Sequence, residues 1–138
     1  MSSSAKKTAK PASKKIPTFA AQAIAGLIML AAAYMKFSDD PASIALFKLL
    51  DMDPFGRHLI AVIELLAGLL LLSPYSALGS VATVAVLLGA MIAHATKLGV
   101  VIDGDGGKLF MVLLLGFVSA VFVMISRREE IPLVGETL

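Results

Sequence analysis

Three ionisable residues occur in or at the end of three separate apolar segments: Lys36, Glu64 and His94. Glu64 is the only formally charged residue between His58 and Thr96. An ionised carboxylate in hydrocarbon is costly unless a cation or a proton neutralises it, so Glu64 needs a partner. An acid, an amine and an imidazole at one site can transfer protons or hydrogen-bond a polar ligand. These three residues are therefore the first candidates for function.

The composition indicates a membrane protein. Of the 138 residues, 58% are hydrophobic, and the mean hydropathy is +0.89. The apolar residues form blocks, and the basic residues stand at the ends of those blocks, which is a topology signal rather than a nucleic-acid-binding stripe. The absence of cysteine excludes disulfides, thiolate metal sites and cysteine nucleophiles. The sequence carries no haem, iron–sulfur or other metal-ligand signature, and no residue is assignable as catalytic from a motif.

The apolar blocks predict an all-α protein, a four-helix transmembrane bundle. About twenty residues at 1.5 Å each cross a hydrocarbon core of about 30 Å. The membrane domain is predicted at 16–128, with four spans at about 16–36, 55–73, 77–97 and 108–126. Residues 1–15 are predicted to be a disordered basic cytoplasmic tail and 129–138 a short C-terminal tail.

The distribution of Lys and Arg predicts the orientation. The N-terminal tail and the C-terminal segment together carry seven of these residues, and the loops on the opposite side carry five. Both termini are therefore predicted to be cytoplasmic. The alternative is a cleaved signal peptide, but the first apolar run is longer than the usual hydrophobic region of about 7–15 residues. An uncleaved first helix is the favoured interpretation.

The first outer loop predicts a short interfacial helix. Asp40 followed by Pro41 is typical of a helix N-cap and first residue. Ile44, Phe47 and Leu50 then recur on one helical face. This helix is expected to cover the ends of the spans, and the alternative is a lid over a pocket.

The spacing of small and polar residues predicts which helix faces point inward. Three stripes with steps of four and three residues each share one face: Gln22, Gly26, Met29, Ala33, Lys36; Arg57, Ala61, Glu64, Gly68; and Ser80, Thr83, Leu87, Ala90, His94, Lys97. Small residues permit close helix approach in membranes, so these faces are expected to meet.

The same stripes place the ionisable residues at one depth. By helical rise, Lys36, Glu64 and His94 fall in the same outer third of the bundle, where they are predicted to form a polar cluster. Three neighbours are supporting candidates: Arg57, Thr83 and Lys97. The alternative is that the cluster only ties helices together, without a function of its own.

Three segments carry a family resemblance. "AAAYMKF", "ELLAGLLLL" and "AMIAHATKLG" resemble the DoxX and DoxX-like family of small four-helix integral membrane proteins. In that family a lysine closes the first helix, a glutamate lies early in the second, and a histidine often lies late in the third. Lys36, Glu64 and His94 match these positions, and the resemblance covers about residues 17–128. One difference is Ala33, where the family often has glycine.

The resemblance implies a multi-pass protein of the bacterial inner (plasma) membrane. It implies an accessory subunit, rather than a self-sufficient enzyme, that handles a quinone or protons for a redox-linked membrane complex. A bound quinone would be the cofactor, and the bilayer, a redox complex or a second copy of the chain would be the partners. The alternatives are a non-catalytic scaffold or assembly factor and, ranked last, a small proton-coupled transporter.

Overall fold

The computed structural model describes residues 12–102 and 104–131. These residues form α-helices, one π-helical turn and one 3₁₀ turn, without a strand, which confirms the all-α prediction. The five α-helices, numbered here in chain order, are α1 (Ala12–Phe37), α2 (Pro41–Leu49), α3 (Phe55–Leu71), α4 (Ser76–Ala93) and α5 (Lys108–Ser126). The π-helical turn His94–Leu98 continues α4, and the 3₁₀ turn Arg128–Glu130 follows α5.

The N-terminal boundary of α1 differs from the prediction. Residues 1–11 of the predicted tail lie outside the described residues, as does most of the predicted C-terminal tail. Residues 12–15 are helical rather than tail-like, because alanine and lysine are good helix formers that can extend an existing helix backwards.

Three helical segments are long and apolar enough to cross a membrane: Lys15–Phe37, Ser76–Leu98 and Lys108–Ser126. The second predicted span, 55–73, contains α3, which has 17 residues and is not among these three. Large apolar side chains nevertheless point outward from all four long helices, for example Leu27, Leu66, Leu88 and Leu115. Such an extensive apolar exterior suits a lipid bilayer rather than water.

The long helices pack as neighbours around one core. Both α1 and α4 contact α3 and α5. The core consists of four alanines and four larger side chains, Met29, Leu71, Leu87 and Val123. The inward stripes predicted for α1, α3 and α4 are buried or half-buried with one exception, Lys97. At Gly68, a Cβ atom would lie 3.2 Å from the carbonyl oxygen of Gly26, so glycine lets α1 and α3 approach closely.

Lys97 is exposed, contrary to the predicted stripe. The reason is the π-helical turn, in which the amide of Gly99 donates to the carbonyl of His94, 2.8 Å away and five residues earlier. This wider turn ends the 3.6-residue period on which the stripe was based. The side chain of Lys97 therefore leaves the inward face.

The predicted short helix in the first loop is confirmed as α2. Its N-cap is Asp40, whose Oδ2 accepts a hydrogen bond from the amide of Ser43 at 3.1 Å, and Pro41 is its first residue. It contacts α1, α3 and the π-helical turn, so it lies across one end of the helices. We name this end the α2 end, and the opposite end, which holds the turn 72–75 between α3 and α4, the turn end.

The loop before α5 is organised by Asp105. One carboxylate oxygen of Asp105 accepts hydrogen bonds from the amides of Ile102 (3.0 Å) and Gly107 (2.7 Å), and the other accepts from the amide of Leu109 (3.1 Å). Led by the bond from Ile102, these contacts hold the pKa of Asp105 below its ordinary value. The carboxylate replaces the backbone partners that the first turn of α5 lacks.

This loop should loosen in acid. The pKa of Asp105 is lower in the folded loop than in the unfolded chain. The ionised carboxylate therefore stabilises the folded loop fully at pH values above the ordinary aspartate pKa of about 3.9. This stabilisation is lost as the pH falls through the lower, folded-state pKa. We expect hydrogen-exchange protection of the Leu109 amide to fall over that range and to fall at neutral pH in Asp105→Asn. Asp51→Asn, a change at an exposed aspartate, is the control, and equal protection in all three proteins would contradict this role.

Candidate functional site

A buried ion pair joins α1 to α3 near the α2 end. Lys36, in the last turn of α1, places its Nζ 3.0 Å from Oε1 of Glu64, which lies in the middle of α3. The side chain of Glu64 is 5% exposed and that of Lys36 is 15% exposed. The predicted contact between these two residues is therefore present. Both charges are largely removed from solvent. Away from water their mutual attraction is stronger than it would be in water.

The second carboxylate oxygen of Glu64 is unpaired. Oε2 is buried and has no hydrogen-bond partner in the described part of the chain. An ionised carboxylate accepts hydrogen bonds at both oxygens, and leaving a buried acceptor unsatisfied costs about 1–3 kcal/mol. Such atoms in native proteins commonly indicate a water, an ion or a functional contact. Here the position calls for a hydrogen-bond donor or a proton.

Aromatic and backbone contacts fix the lysine of the pair. The ammonium of Lys36 lies 5.8 Å from the ring centroid of Phe47 on α2, within the range of a cation–π interaction. The backbone carbonyl of Lys36 accepts a hydrogen bond from the guanidinium of Arg57. The spacing of Ile44, Phe47 and Leu50 predicted that Phe47 lies on the apolar face of α2, but its contact with Lys36 was not predicted. Two residues outside the pair, Phe47 and Arg57, thus hold Lys36 in place.

Arg57, predicted as a supporting residue of the cluster, binds residues other than Glu64. It is 3% exposed, and its guanidinium binds Asp53 and, at 2.8 Å, Asp39. Its charge is therefore balanced by two aspartates rather than by Glu64. Both aspartates lie in the loops between α1 and α3, outside the helical spacing from which the stripes were predicted. The contact of Arg57 with the pair is the hydrogen bond to the backbone carbonyl of Lys36.

His94 is buried, but its described contacts are with Gly99 and Phe110. Its Nδ1 lies 2.6 Å from the carbonyl oxygen of Gly99, and its ring makes an edge contact with Phe110, with the centroids 5.7 Å apart. A carbonyl oxygen only accepts, so Nδ1 carries the proton and Nε2 is the acceptor of the neutral ring. Among the described residues, no hydrogen bond joins His94 to Lys36 or Glu64. The hydrogen-bonded site therefore contains two of the three predicted members.

The two remaining supporting candidates do not bind the pair. Thr83 is fully buried, and its hydroxyl donates to the carbonyl of Gly79 in its own helix at 2.8 Å. Lys97 lies on the exposed face of the π-helical turn. Within residues 12–102 and 104–131, no three His, Asp or Glu side chains lie close enough together to hold a metal ion. Chemically, the site offers one ammonium donor and one free carboxylate acceptor.

Comparison with known proteins finds no matching family model, no matching curated protein and no matching solved structure. The resemblance to the DoxX family therefore stays a prediction.

Proposed function

We propose that this chain is a four-helix transmembrane bundle of the DoxX-like type in a bacterial inner membrane, with both termini cytoplasmic. In this proposal α3 also crosses the membrane, in addition to the three helical segments that are long and apolar enough to do so. Its 17 residues extend about 26 Å at 1.5 Å per residue, which is slightly less than a typical hydrocarbon core. Support comes from its packing between α1 and α4 and from its outward-facing leucines, Leu59, Leu66 and Leu69. A span shorter than the core is accommodated by local thinning of the bilayer.

Within this bundle, the Lys36–Glu64 pair is the binding site for the head group of a quinone or quinol. The observation that carries this function is the unpaired, buried Oε2 of Glu64. A quinol hydroxyl donates a hydrogen bond, and Oε2 can accept it. A quinone carbonyl only accepts, and the ammonium of Lys36 has donors beyond the one directed at Glu64. The pair therefore offers, at one end of such a ring, an acceptor for a quinol hydroxyl and a donor for a quinone carbonyl.

The chain's own contribution is binding and proton transfer. A quinone, when bound, supplies two-electron redox chemistry. Glu64 would accept one of the two protons released by a bound quinol, and Lys36 stabilises the carboxylate before that proton arrives. Arg57 and Phe47 keep the lysine within reach. Since these residues handle protons rather than electrons, the protein acts as an accessory subunit to a partner that carries the redox centre.

A single Glu-to-Gln change tests this function. Glu64→Gln removes the charge and is expected to weaken binding of a short-chain ubiquinol analogue by about tenfold or more, because hydrogen bonds to charged groups contribute about 1.5–3 kcal/mol. The measurement is a binding isotherm with the purified protein in neutral detergent. Glu129→Gln, the same change at an exposed residue after α5, is the matched control. Unchanged ubiquinol binding by a folded Glu64→Gln protein would contradict the proposal.

The second candidate is a non-catalytic scaffold or assembly factor. The observation in its favour is that the buried Arg57 connects α3 to the end of α1 and to the loops on both sides of α2. It binds Asp39, Asp53 and the backbone of Lys36. This function predicts a membrane partner that co-purifies regardless of quinol. Loss of that partner in Glu64→Gln, with ubiquinol binding absent from the native protein as well, would favour the scaffold.

A further inference from the structure

A second polar feature lies at the turn end, far along the helices from the Lys36–Glu64 pair. A groove of about 680 Å³ runs between the first part of α1, the turn 72–75 and the residues that follow α5. One wall is apolar and includes Phe19, Ala23 and Leu72. The other part is polar and includes Gln22, Ser76 and Arg127. The groove is thus amphipathic, with hydrogen-bonding groups at one place and apolar surface beside them.

Arg127 is fixed in this groove by contacts on two sides. Its Nε donates to Oε1 of Gln22 at 3.0 Å, and the amide nitrogen of Gln22 donates to the carbonyl of Leu71 at 2.9 Å. The guanidinium also lies 5.6 Å from the ring centroid of Phe19. A guanidinium held in this way keeps its remaining donors in a planar fork that matches the oxygens of a phosphate.

Two further donors face the same space. Ser76 is 1% exposed and lines the groove, and its hydroxyl can donate a hydrogen bond. Ser76 is also the first residue of α4, a helix whose N-cap, Tyr75, gives no side-chain hydrogen bond. The free amides of a helix N-terminus favour an anion. A serine, the start of a helix without a side-chain cap and a fixed arginine therefore line one groove.

We propose that this groove binds an anionic phospholipid, with the phosphate on Arg127 and Ser76 and an acyl chain along the apolar wall. Arg127 directly follows the last residue of α5, a helix long enough to cross a membrane, so it lies at the level expected for lipid head groups. The wall beside it continues outward, since Phe19 is 57% exposed and Leu72 is 47% exposed. The positive charge selects anionic lipid, and the apolar wall selects lipid over a free phosphate.

Glu130 limits access to this site. Its Oε1 lies 3.4 Å from a terminal nitrogen of Arg127, and its side chain is 46% exposed. A phosphate that binds Arg127 takes the place of this loose contact. Removal of the carboxylate in Glu130→Gln should therefore strengthen lipid binding while the arginine remains in place.

Native mass spectrometry of the full chain in neutral detergent tests the proposal, with phosphatidylglycerol and phosphatidylcholine added in equal amounts. We expect phosphatidylglycerol to be retained preferentially and Arg127→Gln to reduce its retention by about tenfold, the loss of one strong charge-assisted contact. Arg128→Gln is the matched control, because this neighbouring arginine contacts only the carbonyl of Ile125 among the described residues. Its effect should be less than about twofold, as for a screened surface charge.

Two further arms keep the proposal falsifiable if Arg127→Gln does not fold. Glu130→Gln should increase phosphatidylglycerol retention, and glycerol phosphate should not displace the lipid. Equal retention of the two lipids, equal losses in Arg127→Gln and Arg128→Gln, or full displacement by glycerol phosphate would each overturn it. Because this site is separate from Glu64, Glu64→Gln should leave lipid retention unchanged.

Discussion

Lys36→Met is expected to destabilise the protein by about 3 kcal/mol or more, because it leaves a buried carboxylate without its cation. Glu64 is 4% exposed, and its Oε1 loses the only hydrogen bond that it has among the described residues. Methionine keeps the approximate length of the side chain, so lost packing contributes little. The measurement is the free energy of unfolding from reversible denaturation in mixed detergent micelles.

A double variant separates the loss of the pair from the isolation of one charge. In Lys36→Met/Glu64→Met both charges are absent, and stability should return to within about 1 kcal/mol of the native value, because apolar residues of similar volume replace a buried pair at little cost. Ligand binding should not return. If the double variant is as unstable as Lys36→Met alone, the destabilisation does not arise from an uncompensated charge.

Gly79→Ala is expected to have the second large effect, a loss of about 3 kcal/mol in the free energy of unfolding. A Cβ atom at this position would lie 2.5 Å from the backbone nitrogen of Leu71 and 2.9 Å from the backbone carbonyl carbon of Leu70. These are backbone atoms of α3 with no rotamer to change, so α3 and α4 would have to separate. Their separation would also loosen the packing of α3 around Glu64.

Gly89→Ala is the matched control for this substitution. Gly89 is on the same helix and is exposed, and a Cβ atom there meets nothing within 4 Å. Alanine is a better helix former than glycine, so this change should stabilise the protein by about 0.5–1 kcal/mol. Similar effects of the two substitutions in the same unfolding measurement would contradict the close contact at Gly79.

The pairing of Lys36 with Glu64 was predictable because it follows from regular helix geometry. Steps of three and four residues place small and polar side chains on one face, and the rise per residue gives their depth. The buried positions Ala33, Ala61 and Leu87 fit that pattern. The N-cap at Asp40 was predictable for a similar reason, since a cap depends on a few adjacent residues.

The environments of His94 and Arg57 were not predictable from the same rules. His94 begins a π-helical turn, and its ring binds the carbonyl of Gly99, whose φ of 79° redirects the chain. A local change of helix type is not visible in hydrophobic periodicity. Arg57 is paired by aspartates from the loop, and loop conformations depend on contacts that a helical stripe does not describe.

The contact between Gln22 and Arg127 was also not predictable from the sequence. The two residues are 105 positions apart, and the hydrogen bond exists because α1 and α5 are neighbours. Gln22 was identified as an inward-facing residue and Arg127 as a basic residue after the last span. Their meeting depends on helix order around the core, which the lengths of the segments do not determine.

The most direct test of the central claim compares a ubiquinol analogue with its methyl ether, in which the hydroxyl that donates a hydrogen bond is blocked. If the unpaired Oε2 of Glu64 accepts that hydrogen bond, the native protein should bind the free hydroxyl form about tenfold or more tightly than the ether. The difference should disappear in Glu64→Gln and persist in Glu129→Gln. Equal affinities of the native protein for the two compounds would contradict the assignment of Glu64 as the ligand-binding carboxylate.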